Sequence, residues 1–264
     1  MSDQSDVPEL PADVRARTLA RFEDHRRAWR SNEALRTLYR AWYERLREHL
    51  PARALGPWIE IGSGPGFARE LIPDLLLTDV VQAPWHDRRM SAETLPFGDG
   101  EVGALVLFDV LHHLAAPMTF FTEAARVLRP GGRILLCEPY ISPVSYWVYR
   151  LFHEEPVDMA AEPLADTAEH AGATVKDPFA SNQATPTLIF SRSGGREFAR
   201  LFPRLAMTRL ELFAGFAYPA SGGFSRSPLL PTLLWKALLA VEDRLPALAF
   251  RFLAFRMLVV VERS

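Results

Sequence analysis

The sequence predicts a doubly wound α/β fold with a mostly parallel sheet, and three observations carry that prediction. Short apolar runs alternate with helical segments through the middle of the chain. Leu75-Leu-Leu-Thr78, Ala104-Leu-Val-Leu-Phe108 and Ile134-Leu-Leu-Cys137 are almost unbroken in apolar character, as strands covered on both faces are. An earlier run, Trp58-Ile-Glu-Ile61, feeds a loop with glycine at every second position, and a helix is expected to start near Phe67.

The remaining elements follow in order. Residues 1–11 read as a polar lead, and Ala12 to Leu50 as helix. Leu19, Phe22, Trp29, Leu35, Leu38, Trp42 and Leu46 recur there mostly at three- and four-residue steps, with Ser31-Asn32 dividing two helices. Arginines from Arg15 to Arg47 alternate with acids, the pattern of a solvated helix face. Residues 1–50 therefore read as an N-terminal helical cover, and 51–264 as the α/β domain, entered through a linker from Pro51 to Pro57. Thr119 to Leu128 is helical, and Arg129-Pro-Gly-Gly132 turns into the next strand. Arg196–Phe202 reads as helix, Met207–Phe213 as strand, Leu230 to Ala254 as helical pieces, and Met257–Val261 as the last strand. Two segments, at about 139–195 and 218–254, have no place in the minimal fold and are expected to project over one side as insertions. Within the first of these, Ser191-Arg-Ser-Gly-Gly195 reads as a surface turn.

Length and composition narrow the function classes. A chain of 264 residues fits one large α/β domain, with or without a lid. Its net charge of -2 gives no pull toward nucleic acid, which is not expected as a partner. Cys137 is the only cysteine, so an internal disulfide and a cysteine-rich metal site are both excluded, and no metal is expected. The polar start has no secretory h-region. The most apolar stretch, Leu229 to Val261, is broken by Lys236, Glu242, Asp243, Arg244, Arg251 and Arg256, so no transmembrane segment is expected. A cytoplasmic location is the default expectation, with peripheral contact with lipid left open.

The strongest local signal is Trp58-Ile-Glu-Ile-Gly-Ser-Gly-Pro-Gly-Phe67. Gly62, Gly64 and Gly66 allow positive φ and let the backbone approach a ligand where a Cβ would clash. Their spacing is G-x-G-x-G, not the G-x-G-x-x-G of dinucleotide-binding folds. Asp79 ends the second strand, where a carboxylate can accept both hydroxyls of a ribose. Taken alone, the loop also fits a plain turn, and the acid a helix cap.

These residues belong to a longer series of matching blocks. Ile59-Glu-Ile-Gly-Ser-Gly-Pro-Gly66, Thr78-Asp79, Ser91-Ala-Glu-Thr-Leu-Pro-Phe97, Asp109-Val-Leu-His-His-Leu114 and Val127-Leu-Arg-Pro-Gly-Gly132 follow one another across residues 58–138. In that order the chain resembles the class I S-adenosylmethionine-dependent methyltransferases, in the branch typified by ubiquinone and menaquinone biosynthesis. The resemblance implies a Rossmann-like, seven-stranded sheet and S-adenosylmethionine as cofactor. It implies that Glu60, Gly62, Ser63, Gly64 and Gly66 hold the methionine portion, and Asp79 the ribose. Ala92 and Glu93 would lie along the adenine, and Asp109 to Leu111 beside the sulfonium. The chain departs from the family pattern at Ser91, where Asp is usual, and at Val102-Gly103, where Phe-Asp is usual. The stretch from Asp79 to Ala92 is also short for the usual second crossover helix.

Methyl transfer from a sulfonium needs an aligned acceptor, and a base only where the acceptor arrives protonated. His112 and His113, directly after a strand, and His153, beside Glu154 and Glu155, are the candidate bases. Tyr140, Tyr146, Trp147, Tyr149 and Phe152, with Phe179, Phe190, Phe224, Trp235, Phe250, Phe252 and Phe255, point to a small hydrophobic acceptor such as a lipid, quinone-like ring or polyketide. The same apolar content fits a homodimer interface. Two other readings stand beside this one: an NAD(P)-dependent oxidoreductase on the same α/β plan, and a non-catalytic binding protein of the same fold. Lys176 has no tyrosine four residues before it, which weighs against the oxidoreductase.

Overall fold

Alternation within the apolar runs decides which side chain meets which layer. The structure, a computed structural model, describes residues 7, 9–153, 155–165, 178 and 180–264. Among these, β1 (Trp58–Ile61), β2 (Leu75–Asp79), β3 (Arg88–Arg89), β4 (Val102–Phe108), β5 (Leu128–Pro139), β6 (Leu205–Phe213) and β7 (Arg256–Arg263) form one sheet. Its spatial order is β3-β2-β1-β4-β5-β7-β6. All neighbours run parallel except β7, which is antiparallel to both β5 and β6. The mostly parallel, seven-stranded expectation is met.

Strand β4 is buried along its whole length, so both of its faces are covered. Leu105 and Leu107 point into one core, with α3 (Pro117–Val127), α5 (Thr185–Phe190) and α6 (Arg192–Leu201). Val106 and Phe108 point into the other, against α2 (Glu33–Arg47), α7 (Ala217–Ala220) and α8 (Thr232–Glu242). The last two helices are α4 (Pro143–Phe152) and α9 (Phe250–Leu253).

The N-terminal cover divides as expected. α1 (Ala12–Ser31) stops at Asn32, whose side chain accepts from Leu35 N and caps α2. Asn32 also donates to Ser221 O, tying this junction to the segment after α7. α2 buries Leu35, Leu38, Trp42 and Leu46 at helical spacing against the sheet. α1 lies over the glycine loop instead, with Arg26 donating to Pro65 O and resting on the Trp85 ring. Arg26 thus leaves the solvated face assigned to it by the charge pattern.

Four local expectations are corrected. The helix near Phe67 is a single 3-10 turn, Phe67–Glu70, because Pro73 and the start of β2 at Leu75 leave no room for more. Ser191 to Gly195 is the opening of α6, not a surface turn. Gly194 is required there by close packing, since a Cβ would lie 1.7 Å from Leu188 O. Phe190 and Trp235 fill the two cores and do not line an acceptor site. Residues 129–132 loop out as a bulge within β5, Leu128 pairing with Val102 and Arg133 with Ala104.

Between β2 and β3 there is no crossover helix, as the short spacing implied. Trp85 and His86 occupy that connection and turn back onto the glycine loop. Of the residues singled out from the sequence, Glu154, Lys176 and Phe179 lie outside the described residues.

Candidate functional site

Ligands of open α/β sheets bind at the carboxyl ends of the strands, and a large cavity opens there. It has a volume of about 910 Å³, at the upper end of the size range of small-molecule sites. Gly62, Ser63, Gly64, Asp79, Ala92, Glu93, Asp109, His112, His113 and His153 all line it. Gly66 and Glu60 lie just outside the wall.

The glycine loop leaves β1 with Gly62, Gly64 and Gly66 all at positive φ. A Cβ on Gly62 would meet Val110 at 2.6 Å, and one on Gly66 would meet Trp85 at 2.5 Å. On Gly64 it would meet only Phe22, at 3.5 Å, so this peptide faces the cavity. The Gly64 peptide is held from both sides. Its N–H donates to Asp79 Oδ2 at 2.9 Å. Its carbonyl accepts from Trp85 Nε1, and His86 Nε2 lies 2.7 Å from the same oxygen. A carbonyl can only accept, so His86 carries a proton at Nε2.

Asp79 Oδ1 accepts from Val81 N. Burial raises the Asp79 pKa, opposed by His86 and by the N–H donors of Val81, Gly64 and Val80. Each carboxylate oxygen keeps a further lone pair for a ligand on the cavity side. Beyond it, Glu93 accepts from Ala116 N, and Ser91 Oγ accepts from Glu93 N. The residue standing in for the family's usual acid thus braces its own turn.

Glu60 is fully buried against α2, accepting from Tyr43 OH at 2.8 Å. Its other oxygen has no partner among the described residues. Burial pushes its pKa up to about 7, with Tyr43 and Ser63 pulling the other way.

Sequence reasoning missed the polar network on the far wall. His112 is buried between two carboxylates, with Nδ1 2.7 Å from Glu138 Oε2 and Nε2 3.5 Å from Glu155 Oε2. Glu138 Oε1 also accepts from Val110 N and Leu111 N, and Glu155 accepts from Gln183 Nε2. Burial alone would lower the His112 pKa, but hydrogen bonds to Glu138 and Glu155 raise it to about 9. Both carboxylates thus favour the imidazolium form of His112, and they hold the ring in the loop after β4. His113 Nε2 lies 3.9 Å from Glu155 Oε1, and His153 Nδ1 accepts from Glu155 N. Two groups in this network, His112 with His113 and Glu155, and Asp109 with His112 and Glu138, bring metal-type ligand atoms within 4.8 Å. The carboxylates on both sides of the His112 ring already account for its contacts.

Asp109 has φ of +58°, a strained conformation for a residue with a Cβ. Its carboxylate is 2.5 Å from Arg256 Nη1 and accepts from Tyr39 OH. Arg256, almost fully buried at the start of β7, stacks over Trp42, Phe108 and Tyr218 and donates to Cys137 O. A signal for Glu138 and Arg256 was available, because each is a charge at the cavity end of an apolar run, Ile134–Cys137 and Met257–Val261.

The titration of two buried groups gives a stability prediction. His112 has a folded pKa of about 9 against roughly 6.5 in an unfolded chain, so its stabilisation is complete below about pH 6.5 and lost as pH rises through 9. Glu60, raised to about 7, is destabilising once ionised, so it also favours the lower side of neutrality. Unfolding free energy is expected to fall by about 3 kcal/mol between pH 6.5 and 9.5, measured by urea denaturation.

A family model described as a methyltransferase domain matches residues 59–136. A Mycolicibacterium smegmatis protein named as a probable S-adenosylmethionine-dependent methyltransferase is 31% identical over 152 residues, covering 51% of this chain and 57% of that protein. A Mycolicibacterium gilvum protein named as an uncharacterized methyltransferase is 32% identical over 94 residues, covering 30% of this chain and 37% of that one. The chain thus spans little more than half, or less, of these relatives' lengths. The crystal structure of a SAM-dependent methyltransferase from Archaeoglobus fulgidus shares the fold with a TM-score of 0.53 at 10% identity, covering 86% of this chain and 94% of that one. With the strand order and the glycine loop already described, residues 59–136 match a methyltransferase domain, and the chain is similar to S-adenosylmethionine-dependent methyltransferases.

Proposed function

We propose that the protein transfers a methyl group from S-adenosylmethionine to a small, largely apolar acceptor. One observation carries this reading: a single cavity has a polar end at the strand tips and an apolar end beneath α4, α7 and α8. The polar end fits the donor. Gly64 presents backbone that a side chain would cover, and the buried Asp79 carboxylate offers lone pairs for two hydroxyls. Bound there, the donor supplies an electrophilic methyl carbon on a sulfonium.

The chain's own part is positioning. Asp79, Ser91, Ala92 and Glu93 would hold the nucleoside, and the wall at Asp109 would face the sulfonium end. Val148, Tyr149, Phe216, Phe224, Leu238 and Phe255 enclose the apolar end, where they exclude water and orient an acceptor. Since both carboxylates favour the cationic form of His112, the other imidazoles on the wall, His25, His113 and His153, are the ones that would take a proton from an acceptor arriving as an alcohol, phenol or amine.

A thermal-shift comparison tests the cofactor. S-adenosylmethionine and S-adenosylhomocysteine at about a hundred times their Kd should each add about 2.7 kcal/mol, raising Tm by several degrees. NADH should leave Tm unchanged. A shift with NADH alone would overturn the reading. Radiolabel transfer from methyl-labelled donor into lipid and aromatic extracts then identifies the acceptor.

A further inference from the structure

We infer that the face around the cavity mouth docks onto an anionic lipid bilayer, so that the acceptor enters the cavity directly from the membrane. The nature of what enters rests on the methyl-transfer reading. The docking itself does not.

The face is unusual in what it leaves in water. α8 buries Trp235 but exposes Leu233, Leu234 and Val241, with Leu233 79% exposed. α4 buries Tyr149 but exposes Trp147, Leu151 and Phe152. Leu248 and Phe252, just before and within α9, are exposed as well. Large apolar side chains scattered singly need no explanation, but a set on elements around one cavity, lined by Phe152 of α4 and Leu238 of α8, marks a surface that meets another phase. Phe152, Phe216 and Leu229 are both exposed and part of the cavity lining, so the patch surrounds the mouth.

Charge identifies the occupant. Among the exposed residues of 143–153 and 224–253, Arg150, Arg226, Lys236, Arg244 and Arg251 are cationic, against Asp243 as the one acid. Lys236 is paired with Glu33, at 2.8 Å. The whole chain carries a net charge of -2, so this excess of cations is local. Apolar side chains interleaved with arginine are the composition of a surface that settles at the headgroup boundary of an anionic membrane. No helix among the described residues is long and apolar enough to cross a bilayer, and α8, with 11 residues, would lie along it. A second copy of the chain is a poorer match, because a two-fold contact would set the same cations against one another.

α8 is fastened for such a role. Glu242 accepts from Gly215 N and Ala217 N, and Trp235 Nε1 donates to Ala217 O. Its outer face can therefore meet a membrane without α8 leaving the domain.

The test is co-sedimentation of the full chain with vesicles of phosphatidylcholine alone, or of phosphatidylcholine mixed with phosphatidylglycerol. Binding is expected to the mixed vesicles, weakened by salt, with brominated lipid quenching the fluorescence of Trp147. The double variant Leu233→Asp, Phe252→Asp should lose at least tenfold in vesicle affinity while keeping the thermal shift with S-adenosylmethionine. No binding to mixed vesicles, or equal binding by the double variant, overturns the proposal. So does a concentration-dependent dimer, seen by light scattering, that the double variant abolishes without any vesicle binding by the parent. Vesicle binding in a chain that shows no shift with S-adenosylmethionine would retain the docking and remove the methyl-transfer reading alone.

Discussion

Asp79→Ala is expected to lose S-adenosylmethionine binding by at least a hundredfold and to melt about 10 °C below the parent chain. The two effects have one origin. The carboxylate accepts from Gly64 N and Val81 N, so it shapes the glycine loop, and in the proposed reading it also faces the ligand. Each buried N–H left without an acceptor costs about 1–3 kcal/mol, and a domain of this size loses roughly 2–4 °C per kcal/mol. Two hydroxyls no longer bound by a charged acceptor cost about 1.5–3 kcal/mol each in affinity. Asp79→Asn keeps one acceptor oxygen and turns an amide toward the other N–H, so it should fall between the two. Calorimetric titration and a melting curve on the same samples separate the terms. Affinity unchanged in a folded Asp79→Ala variant would falsify the assignment of this residue to the ribose.

Glu138→Ala is expected to be the most destabilising single change in the far wall, by about 3–5 kcal/mol, or 10 °C or more in Tm. The loss combines two orphaned N–H groups, Val110 and Leu111, with a buried His112 deprived of its shorter carboxylate contact. In Glu138→Gln the amide can still accept, but the charge is gone. The His112 pKa should then fall from about 9 toward neutrality, measured by NMR titration of the ring. The decline of stability above pH 6.5 should flatten with it. A Glu138→Gln protein with an unchanged His112 titration would show that Glu155 alone holds the ring charged.

What was legible in the sequence was local. β1, the glycines and Asp79 could be read because a strand, a bend and a strand tip are specified by neighbouring residues. The same holds for the break at Asn32, where the cap bonds a residue only three positions on. The opening of α6 misled because Gly-Gly usually marks a turn, whereas here it answers to the carbonyl of Leu188 in the preceding helix. The His112 and Asp109 networks were out of reach for a different reason. Their partners lie far away in the chain, 26 residues for Glu138 and 70 for Tyr39, and only the sheet order brings them together. Trp85 and His86 lie in the shortened connection after β2, and only the fold shows that they brace the Gly64 carbonyl.

β7 enters the sheet between β5 and β6, and its first residue places Arg256 against Asp109. During synthesis, neither neighbour of that slot has its pairing partner until residues 256–263 leave the ribosome. Closure then joins Cys137 to Leu258 and Leu210 to Val259 in one late event of high contact order. A nascent chain should accordingly stay protease-sensitive and prone to edge-to-edge aggregation up to that moment, and gain order abruptly afterwards.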